Sequence, residues 1–233
     1  MCGRFVQASS PTLLAEYFDV DELAIADDPT PSWNVAPRAE VLTVVAHDGH
    51  RRLGRMRWGL VPSWASDPGL GDRMINARSE TVMEKSAFRT AFERRRCIIP
   101  ADGFYEWQAV GSRKQPMYVT STTGSPLALA GLWEVWRDAR DPEGPWLRTC
   151  SVITTTANAT MAPVHDRMPV LLEPPEWADW LDREATDLDR LAALLDPAPE
   201  STLTMWPVST RVNRAANDDA RLIVREDPLT LFG

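Results

Sequence analysis

Short runs of alternating apolar and polar residues, separated by turns rich in glycine and proline, dominate the middle of the chain. A period of two is typical of half-buried strands, and Asp48-Gly49 between two such runs is a strong hairpin signal. Pro37 favours extended backbone in the residue before it. The pattern therefore predicts extended segments at residues 33–38, 41–46, 53–60, 97–107 (two strands joined by a turn), 117–121, 127–136, 147–156, 203–208 and 222–224.

Helical signals are fewer and shorter than strand signals. Ser9-Ser10-Pro11 precedes apolar residues at helical spacing, which predicts a capped helix with proline in its first turn. Ser79 and Ser86 are candidate caps of two further short helices. In the second of these we expect Phe88 and Phe92 to face inward. The side chains expected to face outward there are Arg89, Arg94, Arg95 and Arg96.

Two acidic helical segments, at residues 175–182 and 187–195, follow the strand-rich region. Strands outnumber helices and arrive in hairpin-like runs, which favours an α+β fold. The chain is therefore predicted to form one domain over residues 1–233. We expect an antiparallel or mixed sheet, partly closed into a barrel-like core, with short helices at its flanks.

Composition is that of a globular protein, with 44% hydrophobic and 25% charged residues among 233. No apolar run is long enough to cross a membrane, and the polar N-terminus does not resemble a signal peptide, so we expect a cytoplasmic protein. The three cysteines are widely spaced and lack a C-x-x-C pair, which argues against a disulfide framework and a zinc site. Cys97 and Cys150 lie in apolar runs and are predicted core residues. No metal or cofactor is expected.

The net charge of −8 speaks against a nucleic-acid partner, but the charge is unevenly distributed. Residues 51–96 hold eleven Lys and Arg residues against five Asp and Glu residues, and nearly all the cations are arginine. Arginine binds phosphate as a fork and stacks on bases. A solvated basic surface without a ligand is the alternative interpretation.

The first five residues, Met1-Cys2-Gly3-Arg4-Phe5, carry the most distinctive chemistry. Initiator methionine is commonly removed when a small residue follows, and removal would leave Cys2 with an α-amine beside its thiol. An α-amine titrates near ~7.8, against ~10.4 for lysine, so much more of it is nucleophilic at neutral pH. The pair can condense with an aldehyde to a thiazolidine, or the thiolate can attack an acyl carbon with the amine as base. Alternatively, Cys2 is an ordinary residue at a frayed terminus.

Three further polar side chains stand out from apolar surroundings: Asn76, Glu106 and His165. Glu106 lies between aromatic residues, and loss of solvation would raise its pKa toward the range useful in acid-base catalysis. A place on the solvent face of an edge strand is the alternative. His165 is a natural proton shuttle near neutral pH. Trp58 and Trp64, in a stretch broken by proline and glycine, either stack on bases or pack beneath a loop.

Six sequence blocks, in order and spanning nearly the whole chain, resemble the signature blocks of the SRAP family (SOS-response-associated peptidases, understood as abasic-site processing proteins). One block alone would be weak evidence, whereas six in family order are highly specific. The blocks are Met1-Cys2-Gly3-Arg4-Phe5, Trp33-Asn34-Val35-Ala36-Pro37, Trp58-Gly59-Leu60-Val61-Pro62, Ile75-Asn76-Ala77-Arg78-Ser79-Glu80-Thr81, Pro100-Ala101-Asp102-Gly103-Phe104-Tyr105-Glu106-Trp107 and His165-Asp166-Arg167-Met168-Pro169.

The resemblance implies a DNA-repair protein that binds single-stranded DNA and links covalently to an abasic site through a thiazolidine at Cys2. It implies catalytic roles for Asn76, Glu106 and His165 beside Cys2. Abasic-site lyase and self-cleaving peptidase activities are implied as side reactions. Some relatives carry a second aromatic residue after the one at Trp64, where this chain has Ala65. The residues that the resemblance places against DNA are Arg4, Asn34, Trp64, Arg78, Thr154 and Arg167.

The residue types suit that chemistry. His165 would open the closed hemiacetal of an abasic deoxyribose, Glu106 would move protons during imine formation and ring closure, and Asn76 would hold the opened hydroxyl or the amine. Two other functions remain open on the sequence: an amide hydrolase with Cys2 as N-terminal nucleophile, and a non-catalytic single-strand-binding module. We expect a monomer that does not associate with membranes.

Overall fold

The computed structural model describes residues 2–227, which form an α+β fold with strands as its main elements. The helices are α1 (Pro11–Tyr17), α2 (Arg89–Arg94), α3 (Trp177–Leu181) and α4 (Leu188–Ala193), with 3-10 turns at Pro68–Arg73, Ser79–Thr81, Pro174–Glu176, Glu200–Thr202, Thr210–Asn213 and Ala220–Ile223. The strands are β1 (Phe5–Gln7), β2 (Glu22–Leu23), β3 (Ser32–Val35), β4 (Glu40–His47), β5 (His50–Trp58), β6 (Asn76–Arg78), β7 (Arg96–Ala101), β8 (Gly103–Val110), β9 (Arg113–Ser121), β10 (Leu127–Trp136), β11 (Leu147–Thr156), β12 (Arg167–Pro169) and β13 (Leu203–Pro207).

Five strands close into a ring. They are joined by antiparallel pairing in the order β11-β10-β7-β4-β5, and a short parallel pairing of β5 with β11 completes the circle. In that pairing Arg57 lies opposite Thr149, and Trp58 lies opposite Cys150. The predicted α+β fold with a partly closed sheet is therefore confirmed.

A second sheet, in the order β13-β9-β8-β1-β3, packs against the ring. One hydrophobic cluster joins the two sheets, with Phe5 and Phe104 from the second sheet and Trp58 from the ring. The ring centroids of Phe5 and Trp58 are 4.8 Å apart. Because Cys2 lies three residues before the start of β1 and belongs to the same cluster, its side chain lies between the sheets.

The helices cover a second hydrophobic cluster, which includes Leu14, Phe18, Phe92 and Trp180. Ser10 caps α1 as predicted, since its hydroxyl accepts a hydrogen bond from the backbone N–H of Leu13. Within residues 2–227, no helix has the length and apolar character needed to span a membrane.

Most strand predictions are confirmed, and two run from the same first to the same last residue as β10 and β11. The prediction at 222–224 is wrong: Ala220–Ile223 is a 3-10 turn, because the Asp219 side chain accepts the backbone N–H of Arg221 and caps it. Ser79 and Ser86 are not caps. Arg78 and Phe88 occupy the N-cap positions, and neither makes a side-chain capping bond.

Arg96 corrects the expectation that the arginines near α2 all face outward, because its side chain is only 2% exposed. It extends from β7 beneath α3 and donates to the backbone carbonyls of Phe92, Glu93 and Trp180 at 2.6–2.7 Å, and to that of Asp182. Burial lowers the pKa of Arg96 to about 10. One guanidinium thus ties α2, β7 and α3 together.

Arg96→Met is expected to lower the free energy of unfolding by about 3 kcal/mol, because several buried carbonyls lose their donor. Urea denaturation measures the change. Arg94→Met is the matched control, since Arg94 is exposed and its loss should change stability by less than ~0.5 kcal/mol. Equal effects for the two variants would contradict the structural role of Arg96.

Candidate active site

Cys2 and Asn76 are joined by a direct hydrogen bond. The Asn76 side-chain N–H donates to the backbone carbonyl of Cys2 at 2.9 Å. Asn76 begins β6, which pairs in parallel with β11 and places Asn76 opposite Val152. The Asn76 Oδ1 atom is buried and accepts no hydrogen bond from any of residues 2–227. The structure therefore leaves an acceptor beside the start of the chain.

The Cys2 thiol is fully buried, and burial raises its pKa well above the ordinary value. The negative charge of Glu106 raises the pKa further, whereas a hydrogen bond from the backbone N–H of Arg4 acts in the opposite direction. The thiol is therefore protonated at neutral pH. Any reaction at its sulfur needs a nearby group that accepts a proton.

Glu106 is such a group. It lies in β8, an interior strand between β1 and β9, and is 2% exposed, which excludes the alternative of a solvent-facing edge position. Burial raises the pKa of Glu106, and His165 opposes this shift when its ring is protonated. The predicted desolvation of this carboxyl is confirmed. Its charge acts on both Cys2 and His165, so the three groups share one electrostatic environment.

His165 lies in the loop before β12, which Asn158 organises. The Asn158 Oδ1 accepts the backbone N–H of Met161, and its Nδ2 donates to the carbonyl of Ala198. His165 Nδ1 accepts the backbone N–H of Arg167 at 2.9 Å and also lies 2.8 Å from Asp166. These two contacts need opposite protonation of Nδ1. The backbone contact governs, because the Asp166 carboxylate is 87% exposed, and it directs the proton of the neutral ring to Nε2.

The three predicted phosphate-binding arginines differ in how they are held. Arg4 is partly buried and donates to Asn34 Oδ1 at 2.8 Å and to a backbone carbonyl at 3.0 Å. Arg167 is nearly buried, with its guanidinium bound by the Glu80 carboxylate and the carbonyl of Thr154. Arg78 is exposed and forms no ion pair with any of residues 2–227. Arg78 is thus the arginine most open to a ligand.

Asn34 and Thr154 are buried rather than displayed. Asn34 is 3% exposed, and its amide donates to three carbonyls of the segment at residues 212–217. Thr154 is fully buried, and its hydroxyl donates weakly to Ala77 at 3.4 Å. Any contribution of these two residues to DNA binding therefore acts through Arg4 and Arg167.

Trp58 and Trp64 have different environments. Trp58 is fully buried, and its indole N–H donates to the carbonyl of Ile75 at 2.9 Å. This tryptophan therefore packs the core and holds the residue directly before β6. Trp64 is 59% exposed, so its ring is available for stacking.

A sequence profile of the family "SOS response associated peptidase (SRAP)" matches residues 1–215. The chain belongs to this family. It is 42% identical to the Abasic site processing protein YoqW of Bacillus subtilis, over 96% of this chain and 99% of that one. It is 32% identical to the Abasic site processing protein YedK of Escherichia coli, with the same coverage.

Solved structures agree with the SRAP fold. A protein from Bacteroides thetaiotaomicron matches with a TM-score of 0.87 and 22% identity, over 97% of this chain and 100% of the other. A phage-related protein from Bordetella bronchiseptica matches with a TM-score of 0.68 and 31% identity, over 89% and 94% of the two chains. The first of these likenesses supports the fold alone.

Fewer cations of the basic block at residues 51–96 are free of ion pairs than its composition indicates. Arg52 is paired with Glu22, Arg57 with Asp72, and Arg95 with Glu134. The exposed cations of the block that form no ion pair within residues 2–227 are Arg73, Arg78, Lys85, Arg89 and Arg94. A basic surface in this SRAP protein is thus built from a minority of the block.

Sequence reasoning did not identify the roles of Glu80 and Asn158. Glu80 holds Arg167 across 87 positions of sequence, and Asn158 fixes the His165 loop. Glu80 lies within the block at residues 75–81, but the spacing of residues in the sequence does not indicate that Arg167 is its partner. Asn158 lies two residues after the end of β11, where asparagine is a common turn signal.

Proposed function

We propose that this protein processes abasic sites in single-stranded DNA and forms a covalent thiazolidine with them through Cys2. The observation that carries the proposal is the contact of Asn76 with Cys2 beside two titratable groups, Glu106 and His165. The names of YoqW and YedK, relatives over nearly their full lengths, support abasic sites as the substrate.

The reaction requires removal of Met1, which gives Cys2 a free α-amine. His165 transfers a proton as the hemiacetal of the abasic sugar opens to its aldehyde. The amine adds to the aldehyde carbon, and loss of one water gives an imine. The thiol then adds across the imine: a C–S bond forms, and the thiol proton ends on nitrogen. The net change is one water released and no change in oxidation state.

Glu106 is suited to the proton transfers of these steps. A buried carboxyl with a raised pKa accepts and returns protons near neutral pH more readily than an exposed one. Asn76 is suited to positioning, because its N–H already holds the Cys2 carbonyl and its Oδ1 is available to the amine or the opened sugar hydroxyl. Neither role needs a metal.

Single-stranded DNA would bind through phosphate contacts to Arg78, Arg4 and Arg167, with Trp64 stacked on a base. The Glu80 carboxylate competes with phosphate for Arg167, so DNA would have to exchange with or bridge that ion pair. An imine at the sugar carbon also permits β-elimination, so we propose abasic-site lyase activity as a slower outcome. Self-cleavage would serve only to expose Cys2.

The direct test is to incubate the protein with single-stranded DNA carrying one abasic site and to run a denaturing gel. We expect a heat-stable protein–DNA band that is absent with undamaged DNA of the same sequence. No band with abasic DNA would overturn the proposal. DNA-independent turnover of an amide substrate in its place would favour an N-terminal nucleophile hydrolase.

Salt dependence tests the phosphate contacts. Arg78→Gln should weaken binding to undamaged single-stranded DNA and reduce the slope of log K against log salt by about 0.7, the value for one phosphate contact on a single strand. Fluorescence anisotropy across a salt series measures both. Arg52→Gln is the matched control, because Glu22 already neutralises Arg52, and its slope should equal that of the wild type. Equal slopes for Arg78→Gln and wild type would exclude the contact.

A further inference from the structure

Two tryptophans are strongly exposed at one end of the ring: Trp64 at 59% and Trp146 at 58%. Trp64 is the predicted stacking residue, whereas Trp146 has no role in the site described above. Both are chain neighbours of one small hydrophobic cluster, which includes Ala65, Trp136 and Leu147. The Trp136 indole N–H donates to the Ala65 carbonyl at 2.7 Å and ties the Trp64 loop to the end of β10.

The Trp146 ring is held in place by a cation. Trp136 and Leu147 lie opposite each other in the β10–β11 pair, so Arg137 and Trp146 are the next residues on each side. The Arg137 guanidinium lies 4.2 Å from the centre of the Trp146 ring. A guanidinium at this distance is a cation–π contact, which orders an otherwise exposed ring.

The local charge favours stacking over phosphate binding. The loop between β10 and β11 carries Arg137 and Arg140 but also Asp138, Asp141 and Glu143. Arg140 pairs with Asp138, which lowers the pKa of that carboxyl to about 2. A loop with a net charge of −1 and an ordered, exposed indole fits the face of a nucleobase better than a run of phosphates.

The register of β11 gives the distance of Trp146 from the active site. Asn76 lies opposite Val152 on β11, six residues from Trp146, which is about 20 Å at ~3.4 Å per residue. A stacked strand rises ~3.4 Å per nucleotide, so a strand that runs along β11 would reach Trp146 about six nucleotides from the abasic site.

We propose that Trp146, ordered by Arg137, is a second stacking platform for single-stranded DNA, beyond Trp64 on the same side of the abasic site. This inference rests on the proposed function for its DNA substrate. It adds a length requirement: DNA must extend at least about six nucleotides beyond the lesion on one side to reach Trp146.

The test measures binding of an undamaged fluorescein-labelled oligothymidylate of 15 nucleotides by anisotropy. Trp146→Ala should weaken this binding about tenfold and leave the salt slope unchanged, because stacking releases no counterions. Trp146→Phe should recover much of the affinity. Leu13→Ala, which removes another exposed apolar side chain from α1, should bind as the wild type does.

If Trp146→Ala binds the 15-mer as tightly as the wild type does, the platform is overturned. This is also the result expected if Trp146 contacts a protein partner instead of DNA. A second experiment uses two 15-mers. One carries the abasic site two nucleotides from its 5′ end, and the other carries it two nucleotides from its 3′ end. Trp146→Ala should slow adduct formation with only one of them, and equal rates with both would contradict the one-sided geometry. Crosslinking of the wild-type protein to an abasic 5-mer tests the proposed function separately, since that DNA is too short to reach Trp146. No adduct with the 5-mer would count against the proposed function and not against the platform.

Discussion

Cys2→Ala protein is expected to yield on the order of 100-fold less heat-stable adduct with abasic DNA than the wild type, because without the thiol the imine cannot close to a ring. The remaining α-amine still forms an imine, which water reverses. Gel quantification after heating measures the loss. An undiminished yield of adduct with Cys2→Ala would show that the Cys2 thiol takes no part in forming the link.

Cys2→Ser separates the amine from the thiol. Its hydroxyl is a poor nucleophile at neutral pH, so we expect little heat-stable product but a wild-type yield once borohydride reduces the imine. Cys150→Ser is the matched control, because this thiol is also buried in the cluster between the sheets but belongs to β11. It should crosslink as the wild type does, provided that circular dichroism shows it folded. Adduct lost equally from both variants would indicate a folding defect rather than chemistry.

Glu106→Gln is expected to slow adduct formation by about 100-fold, the lower end of what a positioned acid-base group contributes. Because burial raises the pKa of Glu106, the wild-type rate should fall as pH drops through that raised value, above the usual 4.5 of a glutamate. The glutamine variant should lack this limb of the pH profile. Single-turnover rates between pH 4.5 and 8 measure it, and identical profiles would assign the proton transfer elsewhere.

Glu106→Gln should raise the stability of the fold although it slows the reaction. The folded-state pKa of Glu106 exceeds its unfolded value, so the folded state holds the proton more tightly and stability falls as pH rises between the two values. Glu106→Gln avoids that loss and should unfold at a higher temperature than the wild type at pH 7. The difference should shrink at pH 4. A less stable variant at pH 7 would show that the carboxylate stabilises the fold.

Local patterns predicted elements whose signals are themselves local. The hairpin of β4 and β5 follows from Asp48-Gly49, and β10 and β11 follow from continuous apolar runs. Closure of the ring depends on a parallel contact between Trp58 and Cys150, which are distant in sequence and carry no pattern of their own. The burial of Arg96 could not be predicted from local sequence either, since only the packing of α3 over β7 makes it a buried donor.

The site could be predicted in part. The chemistry of an N-terminal cysteine and the desolvation of Glu106 follow from residue types, and six blocks in order indicated the family. The positions of Asn34 and Thr154 could not be predicted, because burial and the carbonyls of residues 212–217 are properties of the folded chain. Nor did composition reveal that acidic partners neutralise much of the basic block.

We infer that a Cys2 with a free amine forms the covalent link. Its most direct test is the mass of the adduct after nuclease digestion, followed by peptide mapping. We expect a chain without Met1 that carries one abasic-site remnant minus one water, located on Cys2. An adduct on another residue, or on a chain that retains Met1, would contradict it.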